Sequence, residues 1–67
     1  MENQDAFTVA EFCAAVRISK VTYYALKKRG EGPDEMHIGR RRVITAESKH
    51  KWETRMTKRA AEAEAAA

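Results

Sequence analysis

The chain has little with which to build a large core. Val, Ile, Leu and Phe together number 10 of its 67 residues, below the roughly 20% at which composition begins to suggest disorder. The apolar fraction of 43% is inflated by alanine, which supplies 12 of the 29 apolar or aromatic residues. A domain of this size buries only about 60% of the surface its unfolded chain exposes. The core is therefore expected to be thin, with no room for an enclosed, water-excluding catalytic pocket, and the protein is not expected to be an enzyme.

The single cysteine, Cys13, excludes an intramolecular disulfide and suits a reducing compartment. The longest unbroken apolar run, Phe12 to Val16, is far short of the ~20 residues that span a bilayer. The acidic start Met1-Glu2-Asn3-Gln4-Asp5 is the reverse of a signal-peptide n-region. A cytoplasmic protein with no membrane contact is expected.

The parts of common catalytic and metal sites are also missing. The two serines, Ser19 and Ser48, sit at or near helix starts, where capping accounts for them. Cys13 falls on an apolar helix face and reads as a small buried hydrophobe. Cys13, His37 and His50 lack any CxxC or HxxxH spacing, so no metal is expected. Gly30-Glu31-Gly32 and Gly39-Arg40 have no Lys-Ser/Thr behind them to make a phosphate loop. No carboxylate pair is placed for acid–base work, and no cofactor is expected.

What the chain does have is segregated charge. The net charge of +3 conceals −3 over residues 1–16, −2 over residues 60–67 and +8 over residues 17–59, which hold all 13 Lys and Arg. Concentrated positive charge on a small domain is the footprint of a polyanion partner, most often nucleic acid. A solvated basic surface is the plainer alternative.

Residues 1–6 are polar and are expected to be disordered. Thr8-Val9-Ala10-Glu11 reads as a capping box. A first helix from Val9 to Val16 follows, with Val9, Phe12, Cys13 and Val16 on one face and Phe7 stapled onto it. After a break at Arg17-Ile18, Ser19 caps a second helix from Lys20 to Arg29, and Gly30 supplies the left-handed residue that ends it. Two short helices separated by a few residues, the second basic, form the helix-turn-helix pattern.

At 100° per residue, Tyr23 and Leu26 share one side of the second helix. Val21, Tyr24, Ala25 and Lys28 share the other. With Lys28 at the centre of that second side, Tyr23 and Leu26 are expected inward. Outward Val21, Tyr24 and Ala25 would suit a groove in which thymine methyls are touched; the alternative buries Val21 and Tyr24 in the core.

Glu31-Gly32-Pro33-Asp34 is a loop. Met36-His37-Ile38 and Arg41-Arg42-Val43-Ile44 flank Gly39-Arg40 as a two-stranded hairpin. Three arginines at its tip repel one another, which makes sense where phosphates neutralise them; an exposed basic turn without a role is the alternative. Thr45 caps a third helix from about Ala46. Trp52 is its core anchor, and Trp52, Met56, Ala60, Ala63 and Ala67 trace a narrow apolar stripe. The Ala/Glu tail, residues 60–67, has high helix propensity but little to bury, and is expected to fray unless it meets a partner.

In order, Thr8-Val9-Ala10-Glu11, Val16-Arg17-Ile18-Ser19, Thr22-Tyr23-Tyr24, Arg29-Gly30-Glu31-Gly32-Pro33, His37-Ile38-Gly39-Arg40-Arg41 and Trp52 cover about two-thirds of the chain. Together they resemble the excisionase/AlpA-like group of small winged helix-turn-helix proteins, relatives of the MerR DNA-binding domain. The resemblance implies a mainly α fold with a small β-hairpin over residues 7–59: helix, helix, two-stranded wing, closing helix with the Trp. It implies a second helix in the major groove and a wing on the minor groove or backbone. By position it puts Ser19, Lys20, Thr22, Tyr24 and Lys28 on the recognition element, and Arg40 and Arg41 on the wing. Such proteins are phage or mobile-element directionality factors that bend DNA and recruit an integrase, or small transcriptional regulators. Two positions depart from the family. Arg17 stands where Gly is frequent, which disfavours a left-handed residue in the turn. Ala25 stands where many relatives carry a base-reading Arg, which shifts weight to the wing.

The expected function is therefore double-stranded DNA binding by a nucleoid-associated protein. Lys20, Lys27, Lys28 and the wing arginines Arg40, Arg41 and Arg42 would meet phosphates. Thr22, Tyr24, Val21 and Ala25 would face base edges, and one guanidinium among Arg40–Arg42 would enter a narrow minor groove. Cooperative self-association on adjacent sites would accompany this. The alternative is a protein-interaction adaptor or antirepressor that docks on a recombinase or polymerase.

Overall fold

The computed structural model describes residues 5–66. Residues 1–4 and 67, included in the expectations for a disordered N-terminus and for the tail, lie outside the described residues. Three helices and three short strands follow in the order β1 (Ala6–Phe7), α1 (Val9–Val16), α2 (Lys20–Lys28), β2 (Met36–Ile38), β3 (Arg41–Thr45) and α3 (Ala46–Ala66).

The capping box forms. The Glu11 N–H donates to Thr8 Oγ1 at 3.1 Å, and the Thr8 N–H donates to Glu11 Oε1 at 2.9 Å, which satisfies two donors that the helix leaves orphaned. At the other end of α1 the Ile18 N–H reaches back to the Cys13 carbonyl at 2.9 Å and the Arg17 N–H to that of Ala14 at 3.3 Å. This is the Schellman closure, and it needs a left-handed residue between helix and loop. Arg17 supplies it, with φ 61°. Arginine is disfavoured here but adopts the conformation all the same: the two closing hydrogen bonds offset a left-handed penalty of about 1–2 kcal/mol.

The same closure ends α2. The Glu31 N–H bonds the Leu26 carbonyl at 2.8 Å and the Gly30 N–H that of Lys27 at 3.0 Å. Here Gly30 takes the left-handed position at φ 74°, without strain. At the start of α2 the Thr22 N–H donates to Ser19 Oγ at 3.0 Å.

β2 and β3 pair antiparallel with Met36 opposite Val43, His37 opposite Arg42 and Ile38 opposite Arg41. The two-residue turn Gly39-Arg40 has positive φ at Gly39 (60°) and not at Arg40, the signature of a II′ hairpin. The sheet has a third strand that the sequence reading did not foresee. Ala6 pairs with Thr45 and Phe7 with Ile44, giving the order β1-β3-β2. The Ala46 N–H also donates to the Asp5 carbonyl at 2.8 Å. Order thus begins inside the stretch assigned to disorder, because β3 offers a free edge for the residues before Thr8. Thr45 caps α3, accepting the Ser48 N–H at 3.0 Å.

The core consists of Phe12, Cys13, Tyr23, Leu26, Ile44 and Trp52, with Phe7, Val9, Val16, Ile18 and Met56 packed around it. Phe12 joins the three helices. Its ring meets Tyr23 of α2 edge-on at 5.7 Å and Trp52 of α3 at 5.2 Å. Such edge contacts add about 0.5–1.5 kcal/mol each beyond the area they bury. A core poor in aliphatic side chains is thus assembled from three aromatics. α3 also fastens the loop after α2: Trp52 Nε1 donates to the Glu31 carbonyl and the Arg55 guanidinium to that of Gly32, both at 3.0 Å. Beyond Arg59 the helix continues to Ala66 with every residue exposed. The radius of gyration, 12.9 Å, exceeds the ~11 Å expected of a compact chain this long, in keeping with that projecting helix.

Candidate nucleic-acid interface

Burial of Tyr23 and Leu26 fixes the rotation of α2. The exposed side is therefore the one carrying Val21, Tyr24, Ala25 and Lys28, at spacing i, i+3, i+4 and i+7. Val21 is 81% exposed and Tyr24 46%, so the alternative that buries them in the core is set aside. Tyr24 is steadied by the ring of Tyr23, edge-on at 5.2 Å. Lys20 and Lys28 are exposed, and among the described residues neither forms an ion pair. Ser19 and Thr22 are partly occupied with each other: Ser19 Oγ caps the helix and donates to Thr22 Oγ1 at 3.0 Å.

Lys27 is placed differently. Its ammonium sits 3.0 Å from Glu35, whose side chain is only 6% exposed. The same carboxylate accepts the hydroxyl of buried Tyr23, and His37 Nε2 lies 3.6 Å away. Burial pushes the Glu35 carboxyl upward, but the Tyr23 hydroxyl, the Lys27 ammonium and the charge of Arg42 together hold it below its ordinary value. The Tyr23 hydroxyl is driven upward, first by burial and then by Glu35. Glu35 thus ties α2 to the base of the hairpin, and Lys27 is committed to that tie.

The three hairpin arginines do not form one patch. Successive strand residues alternate between faces. Arg42 lies on the face shared by Ile44, Phe7 and His37, and Arg41 on the opposite face with Val43, Met36 and Ile38. Arg40 occupies the turn itself. All three are exposed, and among the described residues none is paired with a carboxylate. Arg29 and Arg59, by contrast, both bind Glu31, at 3.1 and 3.2 Å. The sheet face that carries Arg41 holds a shallow groove of about 300 Å³, lined by Met36, Ile38 and Val43, with Phe7, Glu11 and Arg41 at its edges.

Cys13 is buried, and burial pushes its thiol up against a smaller opposing effect of Lys20; this is the environment of an unreactive thiol. Among the described residues no group of three His, Cys, Asp or Glu side chains gathers where a metal could be held, and no helix is long and apolar enough to cross a membrane. No family model, no curated protein and no solved structure matches the chain.

The residue that sequence reasoning missed is Glu35. Its partners lie 12 and 8 positions upstream, and nothing in the loop Asp34-Glu35 distinguishes a solvated acid from one drawn against α2.

Proposed function

We propose that this protein binds double-stranded DNA as a winged helix-turn-helix module, without enzymatic activity, in the manner of an excisionase-like directionality factor or small transcriptional regulator. In this reading α1 and α2 are the helix-turn-helix, α2 enters the major groove, and β2–β3 is the wing. The observation that carries the reading is the set of exposed cations that form no ion pair among the described residues, on two protruding elements: Lys20 and Lys28 on α2, and Arg40, Arg41 and Arg42 on the hairpin. Like charges gathered on these two elements repel one another, which bound phosphates would relieve.

The divergence of Arg41 and Arg42 suits a hairpin tip at a minor groove about 6 Å wide. Side chains leaving opposite faces can reach both bordering phosphate rows while Arg40 points in. An integrase-type recombinase and further copies of the chain are the partners this role would require. A second reading, docking on a recombinase or polymerase, is favoured by the apolar outer groove, where Met36 and Ile38 are 45% and 55% exposed.

The test is selection from a random duplex library at about 150 mM salt, where non-specific binding is already weakened, together with salt titrations of Arg41→Ala. An enriched motif is expected, and Arg41→Ala should weaken binding across sequences and flatten the salt slope by about one. If no duplex is retained, the DNA reading fails and the docking reading takes its place. If Arg41→Ala keeps the full slope, the wing assignment fails.

A further inference from the structure

The exposed side of α2 has an unusual chemistry for a surface flanked by cations. Its most prominent side chain is Val21, 81% exposed in the first turn. Ala25 lies one turn further along the same side, with Tyr24 beside it. That side carries no Arg, Asn or Gln, the residues that read guanine or adenine by paired hydrogen bonds. The nearby hydroxyls of Thr22, which accepts from Ser19, and of Tyr24 flank the two apolar side chains rather than replace them. An isolated exposed valine is ordinary. Here, however, Val21 and Ala25 form a small apolar strip bordered by Lys20 at one end and Lys28 at the other. The lysines suit two phosphate rows. The strip between them can meet only something apolar, and the apolar group that a major groove displays is the 5-methyl of thymine.

Resting on the DNA-binding reading, we infer that Val21 and Ala25 make α2 a reader of pyrimidine 5-methyl groups, so that the protein selects thymine over uracil, and 5-methylcytosine over cytosine, at the positions α2 covers. Selectivity at these positions comes from burying methyl surface rather than from hydrogen bonds to base edges. Each methyl buried against the strip is worth about a three- to fourfold change in affinity, the equivalent of one methylene withdrawn from water. Discrimination by α2 is thus graded, and depends on how many methyls line up along one groove face.

The experiment uses the full chain and duplexes that differ only in the methyl group. Alternating dA·dT is compared with alternating dA·dU, and alternating dG·dC with its 5-methylcytosine form, by competition at about 150 mM salt. The methylated duplex of each pair is expected to bind at least three- to fourfold tighter. Val21→Ala, at an exposed helical position where alanine is well tolerated, keeps Ala25 and should lower both ratios without abolishing them. Equal binding of methylated and unmethylated duplexes overturns the methyl-reading inference while leaving DNA binding standing. A preference undiminished in Val21→Ala also overturns it, because duplex shape rather than the strip would then be its source. Absence of binding to all four duplexes overturns the inference, while the DNA reading stands or falls on the library selection.

Discussion

Glu35 is the position at which a single substitution tests the architecture most directly. Its carboxylate is nearly buried and accepts from Tyr23 and Lys27. Truncation to alanine would strand the hydroxyl of Tyr23, which is itself 1% exposed. A buried hydroxyl left without a partner costs about 1–3 kcal/mol, and a hydrogen bond to a charged group contributes about 1.5–3 kcal/mol. The Lys27 side chain is 39% exposed, so its half of the interaction is screened and adds under about 1 kcal/mol. Glu35→Ala should therefore destabilise the fold by about 2–4 kcal/mol. A domain of this length holds about 3–10 kcal/mol in total, so much of its stability would go. Glu35→Gln keeps an acceptor for Tyr23 and loses only the charge; the expected cost is about 1 kcal/mol, since a neutral bond is roughly half as strong.

The assay is urea denaturation followed by fluorescence of Trp52, the chain's one tryptophan, which sits in the core. A double-mutant cycle of Glu35→Gln with Tyr23→Phe should return a coupling of about 0.5–1 kcal/mol. The pH profile is an independent readout. A carboxyl held below its unfolded value of 4.5 contributes stability that is fully present above that pH. The contribution is lost as pH falls through the folded value. The wild type should thus lose stability below about pH 4.5 more steeply than Glu35→Gln, which has nothing to titrate there; acid loss from Glu31, also held low by Arg29 and Arg59 against slight burial, remains in both. Coincident acid profiles for wild type and Glu35→Gln, with coupling below about 0.3 kcal/mol, would refute the role given to this carboxylate.

Three further outcomes can be checked. Arg17→Gly should raise stability by about 0.5–1 kcal/mol, because glycine takes the left-handed conformation of this turn without a Cβ penalty, partly offset by its freer unfolded chain; a lower melting temperature would show that the Arg17 side chain does more than close the helix. Truncation after Arg59 should change stability by less than about 0.5 kcal/mol, since residues 60–66 are all exposed; a larger loss in urea denaturation would place the tail in the fold. Lys27→Ala and Lys28→Ala, one residue apart, should separate: salt titration of duplex binding should keep its slope in the first and lose about one from it in the second, while denaturation should reveal a stability loss mainly in the first.

The local signals were legible because each is written within a few residues. Thr8 and Glu11 are three apart and cap each other. Gly30 follows the last basic turn of α2 and takes the left-handed position. Gly39-Arg40 sits between two β-capable runs and becomes the hairpin turn. The inward face of α2 was legible for a different reason: placing Lys28 outward leaves only Tyr23 and Leu26 to bury. What could not be read is set by partners distant in sequence. β1 is two residues long, too short for any alternation to show, and exists because Ile44 and Thr45 present an edge to it. The left-handed Arg17 is imposed by the carbonyls of Cys13 and Ala14 behind it. The fate of Lys27 depends on where the loop brings Glu35.

Lys27 also bears on how the chain divides its charge. From sequence, six cations on α2 and the hairpin were equivalent candidates for phosphate contact. A helix of nine residues that buries one side cannot present every lysine on the other, and 100° per residue puts Lys27 on the flank between Leu26 and Lys28. There it meets Glu35. With Lys27 withdrawn, five of these six remain for the proposed contact with DNA, which would give a salt slope of about −4.5 if all five engage a B-form duplex, against about −5.4 for six. The withdrawn lysine also brings a structural consequence to the proposed interface. It joins α2 to the hairpin through the same carboxylate that holds Tyr23, so a charge that sequence alone would have assigned to the ligand helps tie together the two elements proposed to face DNA.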